Sequence, residues 1–290
     1  KKGIRGLYQT ISTEQSMRIL AQIVIDQRNE IALKKAVVSL AQLQAMPLYD
    51  RQTISFADGI KNTPLGIVAE HKRRSPSKPQ IKLQSRAAAV AAGYEQAGVA
   101  AMSVLTNGQY FGGSTEDLLL ARASCNLPLL RKEFIMDAYQ IHEAKAYGAD
   151  AILLIKACLN AEETNQLAKT AKEIGLDVLL EVHNLEELTQ APLTYVDVVG
   201  VNNRNLKDFS VDLNISLALA KHIPNDKVKI SESGISSYDA IEKLSNAGFD
   251  GFLMGEHFML QDNPGKAAHN FIQNYSSCLL YTSPSPRDAT

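Results

Sequence analysis

Charged side chains stand at the ends of short apolar runs in this sequence, where they could carry out acid–base chemistry. Glu70 and Lys72 follow the first such run, Lys132 follows the third, and Glu181 closes the fifth. Because side chains alternate between the two faces of a strand, Glu70 and Lys72 share one face. A carboxylate and an ammonium group in one pocket could move protons to and from a small molecule. Taken singly, each group could equally be a solvated surface cluster.

Hydrogen-bonding groups end the sixth and seventh runs. Asn202 and Arg204 lie where the sixth run ends, and Glu232 closes the seventh. Amide and guanidinium groups suit the binding of a carbonyl, a hydroxyl or a carboxylate. The alternative interpretation of the segment around Asn202 is an Asn-rich turn.

Small residues after the last two runs predict a phosphate site. Ser233 and Gly234 follow the seventh run, and Gly255 and Glu256 follow the eighth. Backbone N–H groups after the last two strands of a barrel commonly bind phosphate. The basic loop KRRSPS, which contains Ser75, could close over the same group. We therefore expect the ligand to carry a phosphate group.

The histidines and cysteines predict no metal site. The six histidines show no metal-ligand spacing, and the three cysteines are too few and too scattered for a disulfide framework or a zinc knuckle. Neither a Walker loop nor a dinucleotide fingerprint is present in the sequence. We expect no metal and no organic cofactor, and we expect the histidines to be structural or surface residues.

Composition narrows the class of protein. Of 290 residues, 45% are hydrophobic and 6% aromatic, and Trp is absent. The 30 Lys and Arg residues nearly balance 31 Asp and Glu residues, which argues against nucleic-acid binding through bulk charge. No apolar run has the length of a membrane span, and no signal peptide is visible. We expect a cytoplasmic protein without a membrane or nucleic-acid partner.

Eight apolar runs alternate with amphipathic segments, and this alternation predicts the fold. It favours an α/β protein, a closed (β/α)8 barrel of the TIM type with a helical extension ahead of the first strand. The alternative is an open doubly wound sheet, which has fewer strands and usually a Gly-rich loop after the first. Here HKRRSPS follows the first run and has no glycine. The predicted strands are 66–70, 100–104, 127–131, 150–155, 177–181, 196–201, 227–231 and 250–255.

The two ends of the chain lack the pattern of the body. Residues 1–16 show no amphipathic period, and 278–290 show neither a helical nor a strand period. Residues 278–288 resemble the translation of a sequencing adapter. We expect one barrel domain over 17–275, with 17–62 as its helical extension. We expect 1–16 to be a non-native or disordered leader and 276–290 to be an artefactual or disordered tail.

Six motifs in order carry a family resemblance: IVAEHKRRSPS, SVLTNGQYFGGS, PLLRKEFIMDAYQI, LLEVHN, VGVNNRNL and KISESGI. Over roughly residues 17–271 the chain resembles the indole-3-glycerol-phosphate synthases of tryptophan biosynthesis. That family implies a (β/α)8 barrel with an N-terminal helical extension and no cofactor. It also implies ring closure of 1-(2-carboxyphenylamino)-1-deoxyribulose 5-phosphate with loss of carbon dioxide and water. Other enzymes of the same pathway are implied as candidate partners.

The resemblance implies a role for each matching residue. Lys132 matches the general acid, and Glu181 matches the base. Lys72 matches a second lysine, which holds the substrate carboxylate or acts as acid in dehydration. Glu70 matches the carboxylate that orients the lysines. Asn202 and Ser233 complete the implied catalytic set, and the implied substrate-binding set is Ser75, Phe111, Arg204, Glu232, Gly234, Gly255 and Glu256.

Four positions depart from the family pattern. Lys78 follows SPS where Gly is common, Asn107 replaces an acidic residue, and Glu133 stands in RKEF where RKDF is commoner. Glu256 replaces a small Ser after the last strand. A carboxylate beside a phosphate would repel it unless the side chain turned away, so we expect only the backbone of Glu256 to contribute.

Two other functions fit parts of the pattern. Phosphoribosylanthranilate isomerase, a related ribulose-phosphate barrel, needs a Cys/Asp acid–base pair at its strand ends, where this chain has Lys and Glu. A non-catalytic ligand-binding barrel would keep the phosphate turns and lose the lysines, and both Lys72 and Lys132 are present.

Overall fold

The strands of this protein form one closed barrel. The computed structural model describes the backbone of residues 2–205 and 208–282 and the side chains of residues 19–205 and 208–275. Within these ranges eight parallel strands pair in chain order, and the last pairs with the first. The strands are β1 (Ile67–His71), β2 (Ala101–Leu105), β3 (Leu129–Lys132), β4 (Ala151–Ile155), β5 (Asp177–Val182), β6 (Val198–Asn202), β7 (Val228–Glu232) and β8 (Gly251–Met254).

Helices surround this barrel and precede its first strand. Ser39, Ser55, Asp137 and Asn160 accept N-cap hydrogen bonds from backbone N–H groups, which explains where several of them begin. The helices are α1 (Lys2–Val37), α2 (Leu40–Gln44), α3 (Phe56–Lys61), α4 (Ala87–Ala97), α5 (Gly108–Phe111), α6 (Thr115–Arg122), α7 (Ala138–Ala146), α8 (Ala161–Glu173), α9 (Leu185–Thr189), α10 (Asn214–Leu219), α11 (Tyr238–Asn246), α12 (Glu256–Met259) and α13 (Pro264–Thr282).

The core has an inner and an outer layer because the strands are apolar on both faces. Val68, Leu130 and Leu179 fill the barrel interior, and α3 packs its Phe56 and Ile60 into the same cluster. The outer faces of the strands pack against α4, α6 and α8. With α3 occupying one end of the interior, the open end is the one at the carboxyl ends of the strands.

Helix α1 is tied to the loop after β2. The Asn107 side-chain amide donates to Gln27 Oε1 at 2.9 Å, and the Tyr110 hydroxyl donates to Asp26 Oδ2 at 2.5 Å. The loop after β2 lies at the carboxyl end of the barrel, so these bonds hold part of α1 over that end.

The predicted fold is confirmed, and the open-sheet alternative is wrong. Each predicted strand coincides with an observed strand to within about two residues. The short helices α5, α9, α10 and α12 were not predicted, since four to six residues carry too little period to be recognised.

The predicted domain boundaries do not coincide with the ends of helices. The backbone of α1 begins at Lys2 and that of α13 continues to Thr282, so helix extends into both segments that lack a sequence period. Residues 1 and 283–290, and the side chains of the rest of the predicted leader and tail, lie outside the described part of the chain. The domain limits 17 and 275 stay predictions. Among the described residues, no helix is long and apolar enough to cross a membrane.

Candidate active site

A cavity of about 520 Å³ opens at the carboxyl ends of the strands. Every residue predicted above for the site lines this cavity, including the glycines predicted to bind phosphate. The residues come from seven different loops or strand ends, and the closed barrel brings them together because all strands end at the same rim.

Lys132 lies between two carboxylates in this cavity. Its Nζ is 2.5 Å from Glu232 Oε2 and 3.4 Å from Glu181 Oε2, and both carboxylates are almost fully buried. Burial opposes the charged form of Lys132, but the charges of Glu232, Glu181 and Glu70 outweigh it and raise the pKa of the lysine. Lys132 is therefore a cation at physiological pH, with its protons directed at the cavity wall.

Glu181 and Glu232 differ in their charge at neutral pH. Burial raises the pKa of Glu232 to about 7, and the nearby charges of Glu181 and Glu70 add to this while Lys132 opposes it. Burial also disfavours the anion of Glu181, but Lys132, His183 and Asn202 outweigh burial and lower its pKa. Carboxyl groups with separated pKa values can take different roles in one reaction.

Glycines make room for the buried carboxylates. A Cβ built on Gly200 would lie 2.3 Å from Glu232 Oε1, and one on Gly255 would lie 2.6 Å from Glu70 Oε1. The prediction placed Gly255 in a phosphate cradle only. Its contact with Glu70 shows that it also forms the wall beside the charged cluster.

Glu70 and Lys72 share the barrel interior, as their spacing predicted. Lys72 Nζ donates to Glu70 Oε1 at 2.6 Å, and the Glu70 side chain is only 4% exposed. Burial disfavours the Glu70 anion, but the two lysines outweigh it and keep the Glu70 pKa below its ordinary value. His71 points away, with Nε2 2.9 Å from Ser85 Oγ, which confirms it as a packing residue.

Asn202 organises the ends of β6 and β7. Its Oδ1 accepts from the Arg204 backbone N–H at 3.0 Å and from Ser233 Oγ at 2.9 Å. Ser233 has φ of 69°, a conformation that costs a non-glycine residue free energy. Among the described non-glycine residues, Ser233 and Phe209 have positive φ, and both line the cavity. The hydrogen bond to Asn202 helps to hold Ser233 in this shape.

Glu256 is paired, which modifies the expectation for its side chain. Its Oε1 lies 2.5 Å from Lys78 Nζ, at the rim formed by the loops after β1 and β8. The turn from Ser75 to Lys78 is closed by hydrogen bonds in both directions between their backbones. Lys78 and Glu256, which both depart from the family pattern, thus neutralise each other.

The basic loop after β1 contributes less free charge to the cavity than its sequence indicates. Arg73 forms a bidentate pair with Asp117, one bond of it 2.7 Å long, and Arg74 donates to the Gly108 and Gln109 carbonyl groups. Both guanidinium groups therefore bind the segment that carries Phe111. The prediction that the loop with Ser75 closes over a phosphate therefore does not depend on Arg73 and Arg74, whose side chains bind other protein groups.

Several lining residues were not predicted from sequence. Phe134 faces Phe111 with ring centroids 6.3 Å apart, and Ile19, Leu20 and Ile23 of α1 extend this apolar wall. The sequence could not place these three residues at the cavity, because an apolar stripe that faces a ligand has the same pattern as one that faces a core. Among the described residues, no three His, Cys, Asp or Glu side chains are arranged to hold a metal ion.

The closed barrel and its lysine–carboxylate cluster define an acid–base enzyme of the TIM-barrel class. The family model "Indole-3-glycerol phosphate synthase" matches residues 20–271. An indole-3-glycerol phosphate synthase of Bacteroides thetaiotaomicron is 43% identical over 255 residues, covering 88% of this chain and 98% of that protein. One of Acinetobacter baumannii is 41% identical, covering 86% and 93%. This chain belongs to the indole-3-glycerol phosphate synthase family.

As a member of this family, the chain is a carboxy-lyase of tryptophan biosynthesis that acts on a small phosphorylated substrate. A solved thiamine phosphate pyrophosphorylase of Pyrococcus furiosus has a TM-score of 0.55 and 17% identity, covering 78% of this chain and 100% of that one. At that identity the likeness extends to the barrel fold alone.

Proposed function

We propose that the cavity closes the indole ring of 1-(2-carboxyphenylamino)-1-deoxyribulose 5-phosphate, with Lys132 as general acid and Glu181 as general base. The position of Lys132 between Glu181 and Glu232 carries this proposal. The ring carbon that bears the substrate carboxylate attacks the ribulose carbonyl, and Lys132 gives a proton to the carbonyl oxygen. Loss of carbon dioxide restores the aromatic ring, and loss of water then forms the indole.

Proton removal during dehydration falls to Glu181. A base must be unprotonated before the step, and the lowered pKa of Glu181 keeps it so. The departing hydroxyl needs a proton in return, and Lys72 and Lys132 are the ammonium groups of the cluster that can supply it. Glu70 holds Lys72 at 2.6 Å and stabilises positive charge that develops on the anilino nitrogen.

The two ends of the substrate find different surroundings. The anthranilate ring fits the apolar wall of Phe111 and Phe134, and Arg204 supports the binding of its carboxylate. The phosphate fits the backbone N–H groups near Ser75, Gly234 and Gly255, which also line the cavity. Asn202 and Ser233 supply hydrogen bonds between these two ends.

Fluorescence of the indole product tests the assignment. We expect Lys132→Ala to lower kcat by roughly 10³-fold or more, since a positioned acid contributes about 10²- to 10⁴-fold, while substrate binding is largely preserved. Lys169→Ala, at an exposed lysine of α8, is the matched control and should turn over at the wild-type rate. Turnover of Lys132→Ala at the wild-type rate would exclude Lys132 as the acid.

The location, the partner enzymes and the domain limits of the protein follow from its proposed pathway and sequence pattern. A place in tryptophan biosynthesis supports a cytoplasmic location and contacts with other enzymes of that pathway. The predicted domain of residues 17–275 should fold and retain activity when expressed alone, and a loss of activity would show that the omitted residues belong to the enzyme.

A further inference from the structure

His183 is a buried, charged residue that the proposed reaction does not use. It directly follows β5, two residues after Glu181, so both side chains lie on the face of the strand that points into the barrel. Its side chain is 9% exposed. An imidazole at this depth needs partners for both ring nitrogens.

Two carboxylates flank the imidazole. His183 Nε2 lies 3.2 Å from Glu181 Oε1, and Nδ1 lies 3.2 Å from Glu187 Oε2. A neutral imidazole would place a lone pair against one of these carboxylates, whereas the imidazolium donates to Glu187 from Nδ1 and is attracted to Glu181 by its charge. Burial disfavours the cation, but the two glutamates outweigh burial and raise the pKa of His183 to about 10.

Glu187 is itself fixed. Its Oε2 also accepts from the His183 backbone N–H at 2.9 Å, and its Oε1 accepts from Asn184 Nδ2 at 2.9 Å. Asn184 in turn caps α9 by accepting from the Glu187 backbone N–H at 2.9 Å. The start of α9 thus holds the imidazole in one orientation.

We infer that His183 is a positioning residue that fixes Glu181 in its reactive orientation, and that Glu187 holds His183 in place. The inference rests on the proposed role of Glu181 as the base. With the charge of His183 3.2 Å from Oε1, Glu181 keeps Oε2 toward Lys132 at 3.4 Å. A carboxylate with one oxygen beside a fixed positive charge is disfavoured from rotating away from the cavity. Little rotational freedom is therefore lost when the substrate binds.

His183 also affects the pKa of Glu181, together with the other charged groups that face this carboxylate. From the barrel these groups are Lys132, Glu70 and Glu232, and Glu187 lies on the far side of the imidazole. Burial, together with the charges of Glu181 and Glu187, raises the pKa of the Cys158 thiol to about 12, so this neighbour stays neutral. Removing the imidazolium leaves Lys132 as the cation beside Glu181, and the pKa of Glu181 then rises.

Steady-state kinetics of His183→Leu, His183→Gln and Glu187→Gln test the inference. We expect His183→Leu to lower kcat about 10- to 100-fold, a share of what a positioned base contributes, with KM changed less than about threefold. The acid limb of the pH profile of kcat/KM should move to higher pH. His183→Gln, which keeps an N–H donor toward Glu181, should recover part of kcat, and Glu187→Gln should lower kcat less than His183→Leu.

The control is Glu186→Gln, on the exposed side of α9, which should behave as the wild type. If His183→Leu does not fold, His183→Gln and Glu187→Gln still carry the test through kcat and the acid limb. If the wild type converts the substrate while the His183 variants match its kcat and its acid limb, the inference is wrong and the proposed function stands. If neither the wild type nor Glu186→Gln converts the substrate, the proposed function itself has failed.

Discussion

One lysine–glutamate pair is buried in the cavity, and a second pair of equal length lies exposed at the rim. Lys132 and Glu232 meet at 2.5 Å with side chains 14% and 1% exposed, whereas Lys78 and Glu256 meet at 2.5 Å with 47% and 37% exposed. In the buried pair each charge has lost most of its water, so burial and the neighbouring charges together set its protonation state. In the exposed pair water and salt screen both charges, and such a pair contributes little to stability.

This difference in burial gives the two pairs different effects on the site. The buried pair influences the pKa values of the groups proposed to transfer protons. A change in its geometry lowers the free energy of unfolding. The exposed pair adjusts the net charge of the rim at little cost in stability. Breaking each pair in turn should therefore give effects of different size and different dependence on pH and salt.

Removing the buried cation should have the largest effect. In Lys132→Met, the carboxylates of Glu181, Glu232 and Glu70 face one another without the lysine, and we expect the free energy of unfolding to fall by about 3 kcal/mol at pH 8.5. The Glu232 pKa, already about 7 in the wild type, rises further without the cation. An acid whose pKa is raised in the folded state lowers stability as pH rises from its unfolded value through its folded value.

The loss in Lys132→Met should therefore be smaller at pH 5.5, where Glu232 is protonated. Urea unfolding at the two pH values measures this, with Lys169→Met as the control on an exposed helix face. An equal loss at both pH values would contradict the account of Glu232.

An intermediate effect is expected where two departures from the family pattern meet inside the protein. Asn107 Nδ2 donates to Glu133 Oε1 at 3.2 Å, and burial raises the pKa of Glu133. Asn107→Asp replaces this donor with a second carboxyl group, and we expect a loss of about 1–2 kcal/mol in the free energy of unfolding. Chemical denaturation at pH 7.5 measures it.

The double variant Asn107→Asp with Glu133→Gln separates repulsion from lost shape in the same measurement. Recovery of most of the stability is expected, because the amide introduced by Glu133→Gln can donate to the new carboxylate. If the double variant is as unstable as the single one, the two residues are not coupled.

Breaking the exposed pair should have the smallest effect on stability and a visible one on binding. Lys78→Ala should change the free energy of unfolding by less than about 1 kcal/mol. It leaves the Glu256 carboxylate beside the proposed phosphate site, so we expect KM to rise by about 3- to 10-fold at low salt and less at high salt. Lys78→Ala with Glu256→Ser should restore KM, and a KM that stays raised in the double variant would show that Glu256 does not face the phosphate.

The sequence predicted the site well where the barrel itself determines position. Side chains such as Glu181 and Asn202 end buried strands, and closure of the barrel places every such end on one rim. The pairing of His183 with Glu187 was missed because the two belong to different elements, although their spacing of four residues was visible. The directions of Arg73 and Arg74 could not be predicted because their partners, Asp117 and two carbonyl groups, lie more than 30 residues further along the chain.

The departures from the family pattern show the same limit. Lys78 and Glu256 are 178 residues apart and Asn107 and Glu133 are 26 apart, so the sequence presents each as an isolated anomaly. In the folded protein each departure touches its counterpart. Each departure in this chain is therefore best interpreted together with the residue that it contacts.

The bare backbone at Gly255 has a consequence for how the site can change. One added methyl group there would meet Glu70 at 2.6 Å, and Glu70 holds Lys72 at the same distance. The proposed phosphate site and the proton-transfer groups Glu70 and Lys72 are thus separated only by the backbone of Gly255. Any side chain introduced at Gly255 to alter phosphate binding would also displace Glu70 and, through it, Lys72. Phosphate binding and proton transfer therefore cannot be changed independently at this position.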